Sequence, residues 1–248
     1  MLKTKLFHWR NTMKLALVST LTMTVLLTGC SIPTAPTAVS SLDGLSMPPV
    51  GRSNATRITN GSHVSLGVIY SRNTQVNRAY LQDYQANAGT GFGQSLLVQS
   101  IHDAYVATSR PDLAVDWVKA SLQRQFGSVT VYPDLQSLKA AKPDVVAIID
   151  SRSQLITSRS SDIQADVSAD FYDAHFNYIG TAQGHDAKEL SPVWADFKRS
   201  EEIVADINEQ QNVQVRALQK FDQSLNNLLT SPTDKVSMLN NITGWKLY

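Results

Sequence analysis

Residues 162–171 read Asp-Ile-Gln-Ala-Asp-Val-Ser-Ala-Asp-Phe, and in them apolar and polar side chains alternate without a break. Ile163, Ala165, Val167, Ala169 and Phe171 fall on one side, and Gln164, Asp166, Ser168 and Asp170 on the other. A period of two belongs to a β-strand with one buried face and one wet face, the usual condition of an antiparallel strand. The spacing predicts a second strand at Phe176–Ala182, with Asp173-Ala174-His175 near the turn. Upstream, the apolar run Pro143–Asp150 reads as a strand buried on both faces, and Val64–Tyr70 and Ser128–Tyr132 as two more.

Helical spacing occupies the intervals. Leu96, Leu97, Ile101 and Tyr105 recur by threes and fours, as do Leu113, Val115, Trp117, Val118, Leu122 and Phe126, with Pro111 near the start of that helix. Leu135–Ala141 reads as a short helix, and the polar segment 71–93 as a turn or two of helix around Tyr80, Leu81 and Tyr84. Ser191-Pro192 reads as a cap before a long helix over about residues 191–230, ended by Thr230-Ser231-Pro232. Its apolar seam runs through Val204, Ile207, Leu218, Phe221, Leu225 and Leu228, but meets Gln211 and Gln214 midway, which predicts a kink or split near Asn212. The expected fold is α/β (α+β): a single mixed sheet with helices on one or both faces and a long carboxy-terminal helix.

The amino-terminal region has a different character. Lys3, Lys5, Arg10 and Lys14 precede an apolar core, Leu15–Leu27, too short to span a bilayer, and the core ends at the chain's single cysteine. Met13 offers an alternative start to Met1 without altering this layout. Leu27-Thr28-Gly29-Cys30 resembles the lipobox of bacterial lipoproteins. The resemblance implies removal of residues 1–29 as a signal peptide, acylation of Cys30 (palmitate on sulfur, then a second acylation of the new amino terminus), and a membrane attachment through it. Ser31 stands where an aspartate would retain such a lipoprotein in the inner membrane of a Gram-negative cell, which implies the periplasmic face of the outer membrane. Four of the 22 basic residues leave with the peptide, so the 21 acidic residues are then in the majority and no global basic field remains to hold nucleic acid. Residues 30–62, rich in Pro, Ser, Thr and Ala, read as a flexible tether reaching up to roughly 100 Å at about 3.1 Å per residue. Residues 63–248 form the expected periplasmic domain.

Three stretches, Val115–Phe126 with Val129–Tyr132, Ala140–Asp150, and Asp162–Gly184, resemble the periplasmic α/β domain shared by the amino-terminal part of TolB, the penicillin-binding-protein activator LpoB and the curli secretion lipoprotein CsgG. The likeness covers about half the chain and departs from it at Tyr70 and at Asp173-Ala174-His175.

No chemistry-bearing motif stands out. Gly89-Thr90-Gly91-Phe92-Gly93 matches neither phosphate-loop pattern, Ser95 lacks nucleophile-elbow surroundings, and His63, His102-Asp103, His175 and His185-Asp186 lack metal-ligand spacing. Asp166, Ser168 and Asp170 read as a solvated face able to hold a cation weakly. No cofactor is expected. The function expected from the whole is a non-enzymatic, lipid-anchored adaptor or accessory subunit of an envelope assembly or transport complex, with an envelope protein as partner. The interrupted helix seam marks Glu209, Gln211, Gln214 and Arg216 as the candidate partner-binding residues. The alternative is a CsgG-like oligomeric secretion component, against which stand the polarity of 71–93 and the alanines of 163–171. An envelope enzyme is third.

Overall fold

The structure, a computed structural model, describes residues 33–47, 51–53, 58–87, 99–157, 160–191 and 198–229. It is a single mixed sheet of five strands, β1 (Gly61–Tyr70), β2 (Phe126–Val131), β3 (Val145–Gln154), β4 (Asp162–Asp173) and β5 (Tyr178–Glu189), in spatial order β2-β1-β3-β4-β5. The helices are α1 (Arg72–Asn87), α2 (Gln99–Thr108), α3 (Leu113–Gln123), α4 (Leu135–Ala141) and α5 (Ser200–Leu229). β1 pairs in parallel with β2 and β3, each reached through helices, whereas β3, β4 and β5 form an antiparallel meander. The mixed sheet and long last helix are those the sequence predicts.

The alternation in β4 organises one side. Ile163, Ala165, Val167, Ala169 and Phe171 are all at least 95% buried, and Val145, Ala147 and Ile149 of β3 join them on the same face. α5 lies across this face, with Leu218, Phe221 and Leu225 in the core beside Val118 and Leu122 of α3. The approach is close enough to demand a glycine: a Cβ on Gly184 of β5 would sit 1.9 Å from the carbonyl oxygen of Ala217 and 2.5 Å from the amide nitrogen of Phe221. Trp117 and Ser121 of α3 both donate to the Asp222 carboxylate, which ties the two helices together.

Local capping sets most helix starts. Ser71 Oγ accepts the Thr74 N–H at 3.1 Å at the head of α1, and Asp134 accepts the Ser137 N–H at 2.7 Å at the head of α4. The long helix begins at Ser200 rather than at the Ser191-Pro192 pair. Ser191 is outside it, and Glu202 in its first turn accepts the Arg199 N–H at 3.0 Å, half of a capping box. It runs as one helix to Leu229, so the expected split near Asn212 is corrected; Thr230-Ser231-Pro232 lie outside the described residues. α1 is likewise longer than the turn or two expected, because its inward face is polar: Asn73, Thr74 and Asn77 are buried and bonded to β3, Asn77 Oδ1 accepting the Ser153 N–H at 2.8 Å. The Asp173 carboxylate accepts the N–H groups of His175 and Asn177 at 2.9 Å each and shapes the β4–β5 turn, where Phe176 takes φ +62°.

The other side of the sheet is covered only in part. α4 supplies Leu135 and Leu138 over Ile69, Val146, Ile148 and Tyr172, and residues upstream of β1 cover the rest of that zone. Here the flexible-tether reading of residues 30–62 is corrected over its described part. Leu42, Leu45 and Met47 pack on the Tyr172 cluster, Arg52 bridges to Tyr178 beside β5, and Ile58 is 1% exposed in the main core. The apolar residues scattered among Pro, Ser and Thr are used as anchors, which a compositional reading averages away.

Two substitutions test the face assignment. Val167→Asp buries an unpaired charge and Gly184→Ala drives a methyl into the α5 backbone, so each should lower unfolding free energy by about 3 kcal/mol or more. Ser168→Ala, on the opposite face of the same strand, should stay within about 0.5 kcal/mol. Urea denaturation of the three variants measures this, and equal midpoints would invert the assigned faces.

Candidate functional site

Beyond the zone covered by α4, the polar sides of β3, β4 and β5 form an open cleft of about 350 Å³ lined by Asp150, Arg152, Asp166, Ser168, Gln183 and His185, with Lys220 of α5 at its border. The register explains the collection: Asp150 pairs with Ser168, Arg152 with Asp166, and Asp166 with His185, so the side chains stand in rows across three strands. Asp150 is 7% exposed; its Oδ1 accepts from Ser71 Oγ at 2.6 Å and from Asn73 Nδ2 at 2.8 Å. Arg152 lies between two acids, 3.7 Å from both Asp150 Oδ2 and Asp166 Oδ2, and its Nε is buried without a hydrogen-bond partner. His185 Nδ1 approaches Asp166 Oδ1 at 2.7 Å. At the far margin Asp170 accepts from Thr181 and from Ser41 Oγ, the latter at 3.0 Å.

Chemically the cleft offers carboxylates, an arginine whose hydrogen-bonding capacity is not filled, an imidazole and an amide, with the pattern of a recognition surface for polar groups. Among the described residues no group of three or more His, Cys, Asp or Glu side chains is placed to hold a metal ion. His185 and Asp186, adjacent in sequence, point to opposite faces of β5: His185 to Asp166 and Asp186 to Arg216 and Lys220 of α5. His102 and Asp103 form an exposed 3.4 Å contact on α2, while His63 and His175 are exposed. Gly89–Gly93, Ser95 and Cys30 lie outside the described residues. Asp150 and Arg152 escape a sequence reading because they close an apolar run; the switch from Ile148-Ile149 to Asp150-Ser151-Arg152 is the signal that would have found them.

The four α5 positions marked by the interrupted seam prove unalike. Gln211 is exposed. Gln214 is buried, so its reading as a partner contact is corrected: its Nε2 donates to the Thr108 carbonyl at 2.9 Å. Close to it in the helix, Gln210 is fully buried and reaches α1, α2 and the segment after β3. Its Oε1 accepts the Ile156 N–H at 2.7 Å and faces Tyr84 Oη at 3.3 Å, and its Nε2 donates to Thr108 Oγ1 at 2.8 Å. Around it Tyr80 meets Tyr84 edge-on and Tyr84 meets Tyr105 at a tilt, with centroids about 6 Å apart in each pair. Burial pushes the Tyr80 and Tyr105 phenols up to about 12 and Tyr84 well above its ordinary value, so all three stay neutral. Glu209 and Arg216 bond each other at 2.9 Å and tie to β5 through Lys188 at 3.2 Å and Asp186 at 2.7 Å. Burial works to raise the Asp186 carboxyl, but hydrogen bonds and charge from Lys220 and Arg216 outweigh it and hold it below 3.8. Apart from the exposed Gln211, these polar residues of the helix contact the protein's own domain.

No protein-family model matches the chain, and no curated protein matches it in sequence. Among solved structures, the PelC dodecamer from Paraburkholderia phytofirmans, determined in two crystal forms, aligns at 12% and 10% identity with TM-scores of 0.29 and 0.27. Both alignments cover 64% of this chain and 94% of the PelC chain. Likeness at that level carries no reading of the site.

Gln210→Ala leaves the Ile156 N–H buried and unpaired and should cost about 1–3 kcal/mol, while Gln211→Ala should change stability by less than about 0.5 kcal/mol; equilibrium unfolding reads both. Arg216→Ala gives a pH signature. A depressed folded-state carboxyl contributes stability above its unfolded value and loses it as pH falls through the folded value. The stability gap between the native protein and Arg216→Ala should be full at neutral pH and close below about pH 4, as followed by melting temperature across pH.

Proposed function

We propose that the chain is a lipid-anchored periplasmic adaptor or accessory subunit of a cell-envelope assembly, held on the inner leaflet of the outer membrane. The observation that carries this reading is Leu27-Thr28-Gly29-Cys30 at the end of a basic-then-apolar leader. Among the described residues no helix is long and apolar enough to cross a membrane, so in this reading the acyl chains supply the attachment. The surface offered to an envelope protein is the open face of β3–β5, around Asp166, Ser168, Gln183 and His185, rather than α5, whose polar residues are largely engaged with β5 and α2. Its mixed charges suit an interface that gains specificity from paired polar groups.

Cys30→Ala should abolish incorporation of labelled palmitate and leave the leader attached; labelled mutant protein would defeat the anchor. Ser31→Asp should move the processed protein towards the inner-membrane fraction. A photo-cross-linking residue at Gln183 should capture a discrete envelope protein in cells, while one at Gln211 should not. Capture at Gln211 alone would return the partner surface to α5.

A further inference from the structure

The chain emerging from the predicted lipid attachment is docked on the domain almost at once. Ala35 packs against the cluster containing Tyr80, Leu81 and Tyr84 of α1. Four residues later Val39 is gripped by the Asn73 amide side chain, its N–H donating to Oδ1 at 3.0 Å and its carbonyl accepting from Nδ2 at 2.7 Å. This pair of bonds copies the way one peptide unit holds another in a strand ladder. Asp43 then pairs with Arg72 at 3.0 Å, and Leu42, Leu45 and Met47 carry the strap along the sheet towards the β4–β5 turn.

The length of free chain decides the geometry. Only five residue steps separate Cys30 from Ala35, at most about 18 Å when fully extended, against the roughly 100 Å that residues 30–62 would reach undocked. α1 starts beside Asp150, halfway along β3, and runs to the end where β3 finishes; the cluster that Ala35 joins there includes Tyr80, Tyr84, Leu155 and Ile156. The β4–β5 turn is at the other end, because Asp173 pairs with Val145 at the start of β3. The ten residues of β3 set these two ends about 30 Å apart. Two of the three large apolar side chains most exposed on the described surface lie on the α1 half of the molecule: Val39 at 41%, held by Asn73 beside Asp150 halfway along β3, and Val76 at 40%, one turn further along α1 towards the membrane-proximal end.

We propose that the strap fixes the domain's orientation on the bilayer, with the α1 surface around Val39, Arg72 and Val76 against the lipid headgroups and the β4–β5 turn pointing into the periplasm. This inference rests on the acylation of Cys30. The occupant of the Val39/Val76 patch is the lipid surface itself. Acyl chains anchored five residues from the domain bring the two together at an effective concentration that a weakly apolar patch alone does not reach.

The test uses the full lipidated chain. Acylation consumes the thiol of the only native cysteine, so a cysteine introduced at Val76→Cys or at Ala174→Cys in the β4–β5 turn is the single site for a small fluorophore. The labelled proteins are reconstituted into phosphatidylethanolamine–phosphatidylglycerol vesicles containing a headgroup-nitroxide lipid, and the floated fraction is read. The expected result is loss of fluorescence at position 76 and its retention at 174. In the background Val39→Pro with Leu42→Asp, which removes a latch hydrogen bond and a strap anchor, the signal at 76 should recover while flotation persists. Protein that floats with both positions quenched alike, or with 174 quenched more, overturns the orientation and leaves the anchor standing. A signal at 76 that stays quenched after strap release overturns the strap's role. Failure to float refutes the anchor, and the orientation with it.

Discussion

The contact between α5 and the buried face of β4 and β5 is the constraint on which the rest of the molecule depends. It draws the antiparallel half of the sheet and the last helix into one core, and through Leu218, Phe221 and Leu225 it reaches α3 and the parallel half. The closest point, Gly184 against the backbone of Ala217 and Phe221, fixes how far the helix can approach and therefore its height above the sheet. With α5 settled on one face, Asp166 and Ser168 of β4 and Gln183 and His185 of β5 stand on the other. The cleft is a by-product of the same alternation that makes the core.

A consequence of that arrangement is a division of labour between ionic groups. On the α5 side, Asp186, Glu209, Arg216 and Lys220 form a partly exposed network that seals the helix to edge strand β5. On the opposite side, Asp150, Arg152 and Asp166 face one another at distances too long for good hydrogen bonds, and Arg152 Nε is left unfilled. Networks of the first kind keep an edge strand covered, whereas a buried donor without a partner has a cost that a bound group can relieve.

Much of the fold was legible because apolar spacing carried it. The β4 alternation, the buried run of β3 and the limits of α4 at Leu135 and Ala141 all follow from burial patterns that a single strand or helix displays by itself. Where polar side chains perform the packing, legibility fails. α1 hides behind Asn73, Thr74 and Asn77, which are buried because they satisfy β3 backbone and side-chain groups. Gln214, which with Gln211 looked like a flaw in the seam, is buried and bonded to α2, and its neighbour Gln210, which the spacing did not single out, is more connected still. The cleft was half visible: Asp166 and Ser168 belong to the wet face of β4, but Asp150, Arg152 and Gln183 join them only through strand register, which sequence spacing does not contain.

Asn73 serves two masters. The Nδ2 that holds the Val39 carbonyl also donates to Asp150 Oδ1 on the floor of the cleft, where Ser71 Oγ shares the same oxygen. Displacement of that side chain would break both bonds to Val39 and remove one of the two donors on the Asp150 carboxylate beside Arg152. One amide side chain thus joins the amino-terminal strap to the surface where β3, β4 and β5 are open.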